Sequence, residues 1–74
     1  MRILINGEVK ECEEGLSLSA LLYLLELPPQ RIAVELNREV VRRVDWKSTV
    51  LRNDDRLEIV HFVGGGSGFS SNKK

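Results

Sequence analysis

Short apolar runs alternate with turn signals along this chain, and most of the runs are typical of β-strands. Residues 2–5 (RILI) form a β-branched apolar run that ends at the dipeptide Asn6-Gly7. This dipeptide strongly favours a two-residue hairpin turn. Residues 9–13 follow as the return strand. The pattern predicts two antiparallel strands joined by a tight turn.

One segment has the period of an α-helix. Gly15 breaks the strand pattern, and the hydroxyl of Ser17 is suited to cap the free backbone N–H groups of a helix that follows. Leucines then recur three and four residues apart, which places them on one helix face. They are Leu18, Leu21, Leu22 and Leu25, with Leu24 and Leu27 widening the stripe. Because Pro28-Pro29 forbids continuation, we expect the helix to end there.

The rest of the chain is predicted to form short strands separated by turns. Residues 32–36 (IAVEL) form a third strand, and residues 40–41 return from a turn as a fourth. An irregular stretch around Trp46 favours a helical turn that packs the indole in the core. Residues 48–51 (STVL) indicate a further short strand.

The last strand is predicted at residues 57–63 (LEIVHFV), after the turn signal NDD. Its Ile and Val content favours a central position beside the first strand. One helix can cover only one face of the four- or five-stranded mixed sheet that results. The order β-β-α-β-β-β is that of the β-grasp, or ubiquitin-like, fold, which belongs to the α+β class.

Alternation along this last strand divides its side chains between two faces. If Leu57 and Ile59 point towards the helix, the intervening side chains lie on the opposite face, which has no second layer. Val60 and Phe62 are the apolar members of that face. Because they cluster beside the chain end, we interpret them, together with Val63, as a partner-docking patch. Ordinary surface hydrophobicity is the alternative.

The strand runs directly into Gly64, Gly65 and Gly66. Glycines have no side-chain chemistry, so a functional role for them lies in the backbone, which can thread a narrow cleft and approach another protein's active site closely. At about 3.3 Å per residue, residues 63–66 reach about 13 Å beyond the fold. This geometry suits a protein whose working group is a main-chain carboxylate. A flexible linker is the alternative interpretation.

Composition narrows the classes of function. The chain has 74 residues, enough for one small domain, and its 11 basic and 11 acidic residues cancel, which argues against a nucleic-acid partner. No apolar stretch is long enough for a membrane span, and the first residues lack a signal-peptide pattern. Cys12 is the only cysteine and cannot form an internal disulfide, which indicates a reducing, cytoplasmic compartment.

Few side chains are candidates for catalysis or cofactor binding. His61 has no Ser or Cys nucleophile at a motif spacing, and no His/Cys cluster has the spacing of a zinc site. Cys12 lies between Glu11 and Glu13, which disfavour a thiolate. We therefore expect a protein that is not an enzyme and binds no metal or cofactor of its own.

The sequence resembles the thiamine-pathway sulfur carrier proteins over residues 1–66. The segments that carry the resemblance are ILING (3–7), Gly15 with Ser17 and Leu21-Leu22, VELN (34–37) and, most specifically, LEIVHFVGGG (57–66). The resemblance implies that a partner adenylating enzyme uses ATP to activate the carboxylate of Gly66. Sulfur from a cysteine desulfurase relay then replaces AMP to give a thiocarboxylate, and a thiazole synthase takes up that sulfur.

The chain departs from the family pattern after the glycines. Family members end at a glycine carboxylate, whereas here a peptide bond joins Gly66 to Ser67. Residues 1–66 are thus the predicted carrier domain and residues 67–74 a flexible extension. A processing protease removes the extension, or it is the remnant of an expression vector, or this copy has kept the fold and lost the carrier chemistry. The first two explanations are favoured, and the sequence does not separate them.

Two other functions stay open at this point. The small subunit of molybdopterin synthase carries sulfur on the same kind of terminus, although the short chain and its Phe62–Gly66 ending favour the thiamine carriers. A non-catalytic ubiquitin-like interaction module would instead dock through Val60 and Phe62 and have an inert tail. Deletion from Gly65 onward would leave the function of such a module intact.

Overall fold

The computed structural model describes residues 1–62, which form a five-stranded mixed sheet with one α-helix on one face. The strands and the helix are β1 (Arg2–Ile5), β2 (Glu8–Glu11), α1 (Leu18–Leu24), β3 (Ile32–Leu36), β4 (Glu39–Val40) and β5 (Arg56–His61). Two 3₁₀ helices, Pro29–Arg31 and Arg43–Ser48, lie in the connections. The bounds predicted for β1 and β3 are those observed, the bounds predicted for β2, β4 and β5 differ by one or two residues, and Val63 lies outside the described part of the chain.

β5 is the central strand of the sheet, whose order is β2-β1-β5-β3-β4. It pairs parallel with β1 and antiparallel with β3. The β1–β2 and β3–β4 pairs are both antiparallel, so β5 joins two hairpins into one sheet. The predicted central position of the last strand and the predicted β-grasp arrangement are confirmed.

Both hairpins turn through residues with positive φ. Asn6 (φ 51°) and Gly7 (φ 85°) form the predicted two-residue turn. The β3–β4 hairpin turns at Asn37 (φ 51°) and Arg38 (φ 75°) in the same way, but without a glycine. Asparagine tolerates this left-handed region better than most residues, so both turns begin with the same residue type.

The helix begins as predicted, but it ends at Leu24 and not at Pro28-Pro29, where we expected it to end. The hydroxyl of Ser17 accepts a hydrogen bond from the amide of Ala20 at 3.0 Å, which confirms the N-cap. At the other end Glu26 has a φ of 58°. The amide of Leu27 donates to the carbonyl of Leu22 at 3.1 Å, and the amide of Glu26 donates to a carbonyl in the last turn. This is a Schellman motif with glutamate at the position that glycine usually occupies.

The hydrophobic core lies between α1 and the sheet. Its buried side chains are Ile3, Ile5, Leu18, Leu21, Leu22, Ile32, Val34, Trp46, Leu51, Leu57 and Ile59. The prediction that Leu24 widens the apolar stripe of the helix was wrong, because its side chain is 65% exposed. At about 100° per residue, Leu24 lies roughly 110° from the centre of the buried stripe, beyond the reach of the sheet.

The connection between β4 and β5 closes one end of the core. Trp46 lies in the 3₁₀ helix Arg43–Ser48, is buried, and donates its indole N–H to the carbonyl of Val41 at 2.9 Å, as expected for a packed helical turn. Residues 48–51 do not form the predicted strand. Val50 makes only an isolated bridge, and Leu51 is buried in the core, which accounts for the apolar character of this segment.

Two leucines of α1 provide a test of this packing. Leu21→Ala should lower the free energy of unfolding by about 2–5 kcal/mol, because it leaves a cavity in the core. Leu24→Ala, the matched control, should change it by less than about 0.5 kcal/mol, because the side chain is exposed. Urea denaturation followed by the fluorescence of Trp46 measures both. Equal losses for the two variants would contradict the assigned helix orientation.

Candidate functional site

The side chains of β5 divide between the two faces of the sheet as predicted. Leu57 and Ile59 are buried under α1. Val60 is 56% exposed and, together with Phe62 at 43%, lies beyond the helix-covered face. The helix therefore covers one face of β5 and leaves apolar side chains of the central strand accessible to a partner.

Ala33 extends this exposed apolar group onto the neighbouring strand. It is the direct partner of Val60 in the β3–β5 ladder, so both side chains project from the same face. We call Ala33, Val60 and Phe62 the open-face patch. The sequence analysis missed Ala33, although the alternation of β3 with Ile32 and Val34 buried would have placed it on this face.

Charged residues border the open-face patch on the side away from the chain end. Glu35 and Glu58 are direct cross-strand partners on the same face. They line a shallow depression together with Arg38 and Arg56, so both acidic and basic groups lie there. An apolar centre with a charged rim is the arrangement found in protein interfaces that form and separate.

Phe62 is held to the sheet at the point where the described chain ends. Its amide donates to the carbonyl of Arg31 at 2.7 Å, which extends the β3–β5 pairing past the last strand residue. Val63 and the glycines Gly64, Gly65 and Gly66 lie outside the described residues, as does the extension 67–74. The open-face patch thus adjoins the segment for which the sequence predicts the working group.

A second exposed apolar group lies on the helix side of the molecule. Tyr23, Leu24 and Val44 are each more than half exposed, and they line a groove of about 720 Å³ between α1 and the 3₁₀ helix Arg43–Ser48. We call these three residues the helix-side surface. It lies on the other side of the sheet from the open-face patch.

The two candidate reactive side chains lie at different strands of the sheet, β5 and β2. His61 is exposed at the end of β5, and Cys12 is half-buried after β2. Within residues 1–62, no three His, Cys, Asp or Glu side chains are grouped so that they could hold a metal ion. No helix in that range is long and apolar enough to cross a bilayer.

Comparison with known protein families shows to which family this chain belongs. The sequence model of the ThiS family matches residues 3–66, which include the helix, all of the sheet except Arg2, and the three glycines after β5. The chain belongs to the ThiS family. The resemblance to the thiamine-pathway sulfur carriers is thereby confirmed.

The relatives of this ThiS-family chain include sulfur carrier proteins and thiazole synthases. The sulfur carrier protein ThiS of Bacillus subtilis is 35% identical over 63 residues, which cover 84% of this chain and 96% of the relative. The thiazole synthase of Magnetococcus marinus is 46% identical over 66 residues, which cover 89% of this chain. The chain spans about one-fifth of the length of the thiazole synthases that it matches.

A solved structure of the family has the same fold. The crystal structure of the thiamine biosynthesis protein ThiS from Geobacter metallireducens superposes with a TM-score of 0.78 at 32% sequence identity. The superposition covers 89% of this chain and 100% of that one. The β-grasp assignment made from the element order is therefore confirmed.

Neighbouring residues of β5 test the orientation of the open-face patch. Ile59→Asp should unfold the domain, because it buries a carboxylate without a partner. Val60→Asp should lower the free energy of unfolding by only about 1 kcal/mol, the β-propensity cost at an exposed strand position. Circular dichroism and urea denaturation measure both changes. A folded Ile59→Asp variant beside an unfolded Val60→Asp variant would reverse the assigned faces.

Proposed function

We propose that this ThiS-family chain carries sulfur for thiamine biosynthesis as a thiocarboxylate on the main chain of Gly66. The observation that supports this most is the match to the family through Gly66, which includes the three glycines after β5. Within the described residues 1–62, no His, Cys, Asp and Glu side chains are grouped so that they could hold a metal ion. The chain acts as a co-substrate of larger enzymes.

Two steps on a partner adenylating enzyme convert the carboxylate. In the first step the Gly66 carboxylate attacks the α-phosphorus of ATP and releases pyrophosphate. This activation is needed because a free carboxylate is a poor electrophile, whereas an acyl-adenylate has a good leaving group. In the second step a persulfide, formed on a sulfur donor by a cysteine desulfurase, attacks the acyl carbon and expels AMP, and a thiol then reduces the resulting acyl disulfide to release the thiocarboxylate. The product holds sulfur covalently rather than as free sulfide.

The open-face patch is the surface that we assign to the adenylating enzyme. Its apolar side chains are accessible on the uncovered face of the sheet, and Phe62 is the last described residue before the tail. A partner docked there would lie next to the point from which Gly64 and Gly65 thread its active site. At about 3.3 Å per extended residue, Gly66 lies within about 13 Å of Phe62.

Thiazole synthase is the proposed consumer of the sulfur. The thiazole synthases of Magnetococcus marinus and Paramagnetospirillum magneticum each contain, in one polypeptide, a segment similar to 89–90% of this chain. Covalent union gives two domains a high effective concentration for each other. This observation favours the thiamine pathway over a molybdopterin synthase partner for the present chain.

The proposal requires a free carboxylate at Gly66. In the present sequence a peptide bond joins Gly66 to Ser67, and an amide carbonyl does not form an acyl-adenylate as a carboxylate does. If residues 67–74 belong to the natural protein, a protease must hydrolyse this bond before activation. The active form is in either case the chain that ends at Gly66.

Intact mass spectrometry tests the proposal. The chain ending at Gly66 should gain the mass difference between sulfur and oxygen when incubated with ATP, an adenylating enzyme of this pathway, a cysteine desulfurase and cysteine. The full chain ending at Lys74 is the matched control and should keep its mass. Modification of both chains, or of neither, would contradict the assignment of Gly66 as the working group.

A further inference from the structure

The central strand β5 continues past the end of β1, the strand with which it pairs in parallel. The parallel β1–β5 ladder pairs Leu4 with Arg56 and Ile5 with Leu57, and the amide of Asn6 still donates to the carbonyl of Leu57 at 2.8 Å. The chain then reverses through the Asn6-Gly7 turn. From Ile59 onward, β5 has no β1 backbone beside it.

The side chain of Asn6 takes the place of the missing backbone. Its Oδ1 accepts a hydrogen bond from the amide of Ile59 at 2.7 Å, and its Nδ2 donates to the carbonyl of Ile59 at 3.2 Å. A carboxamide carries one acceptor and donors in the same plane, as a peptide group does. Both polar groups of Ile59 that face β1 are therefore satisfied, which a half-buried backbone requires.

The opposite edge of β5 is held in the same region. There the amide of Phe62 donates to the carbonyl of Arg31, the residue immediately before β3. The end of the central strand is thus fixed on one side by the backbone of β3 and Arg31, and on the other by a single side chain. Removal of that side chain would leave the β1 side of Ile59 without a protein partner.

We propose that Asn6 is a positioning residue for the C-terminal working group. This inference rests on the proposed carrier function. By continuing the hydrogen bonding on the β1 side of β5 to Ile59, the Asn6 side chain sets the place and direction in which the chain leaves the fold after Phe62. Each residue of β5 that frays adds backbone freedom, which must be lost again when the tail enters an active site.

The β3–β4 turn provides a matched control at the other end of β5. Asn37 has the same φ of 51° as Asn6, and its Oδ1 accepts from the amide of Arg56 at 3.0 Å. Its Nδ2 donates to the carboxylate of Asp55 at 3.0 Å. Asn37 therefore also makes two side-chain hydrogen bonds, one of them to the backbone of β5, but it makes them where β5 begins, at the end of the strand away from the tail.

The test compares Asn6→Asp and Asn6→Gly with Asn37→Asp and Asn37→Gly, all in the chain ending at Gly66. Asp and Gly both accept positive φ, so the turns are preserved. At position 6, Asp removes the Nδ2 donor and places a carboxylate oxygen against the carbonyl of Ile59, and Gly removes both bonds.

For the Asn6 variants, kcat of adenylation at saturating carrier should fall about tenfold, with KM within about threefold of the unmutated value. For the Asn37 variants kcat should stay within about twofold.

Amide hydrogen exchange supplies a readout that does not depend on the adenylating enzyme. The amides of Ile59 and Phe62 should exchange about tenfold faster in Asn6→Gly than in the unmutated chain. In Asn37→Gly their exchange rates should be unchanged. Unchanged exchange at both amides would overturn the inference, and so would equal losses of kcat at the two asparagines. If the unmutated chain ending at Gly66 is not adenylated, the carrier function fails, and the exchange data alone still decide whether Asn6 holds the end of β5.

Discussion

The pairing of β5 with strands on both of its sides is the constraint on which the rest of the structure depends. It joins the β1–β2 hairpin to the β3–β4 hairpin, and these hairpins have no direct ladder with each other. The same strand buries Leu57 and Ile59 against α1. Loss of the β5 pairing would therefore divide both the sheet and the core, so the stability of the domain and the position of its C-terminal segment are linked.

A small domain with one helix leaves one face of its sheet uncovered, and this molecule has apolar residues there. Val60 of the open-face patch directly follows the buried Ile59 in β5, so the two faces of this strand differ only by the alternation of side chains. In the proposed function, docking on the open face and delivery of the chain end would both depend on this strand. A partner that binds the open-face patch is automatically close to the residues after Phe62.

Much of the fold could be predicted from local sequence signals. Asn6-Gly7 and Ser17 were recognised because a turn and a helix cap depend on a few adjacent residues. The helix end was placed wrongly because Glu26 has the left-handed conformation that glycine usually adopts, and nothing in the sequence marks it. Residues 48–51 were predicted to form a strand because the same apolar residue types are favoured in a buried strand and in a buried loop. The structure buries Leu51 in the core without forming that strand.

The support of the C-terminal segment could not be predicted in this way. The two hydrogen bonds between Asn6 and Ile59 join residues 53 positions apart, and a long-range contact leaves no periodic pattern in one sequence. The two-residue turn alone explains why an asparagine stands at position 6. The sequence therefore does not indicate that its side chain also bonds to Ile59. Only the three-dimensional arrangement shows that the asparagine of the first hairpin also supports the last strand.

The central claim is that β5 presents both a docking face and the working terminus to the same partner. Its most direct test is an NMR titration of the ¹⁵N-labelled chain ending at Gly66 with an adenylating enzyme of thiamine biosynthesis. The account predicts that amide signals of the open-face patch shift or broaden first, while those of the helix-side surface stay unchanged. Perturbation of the helix-side surface with an unaffected open-face patch would contradict it.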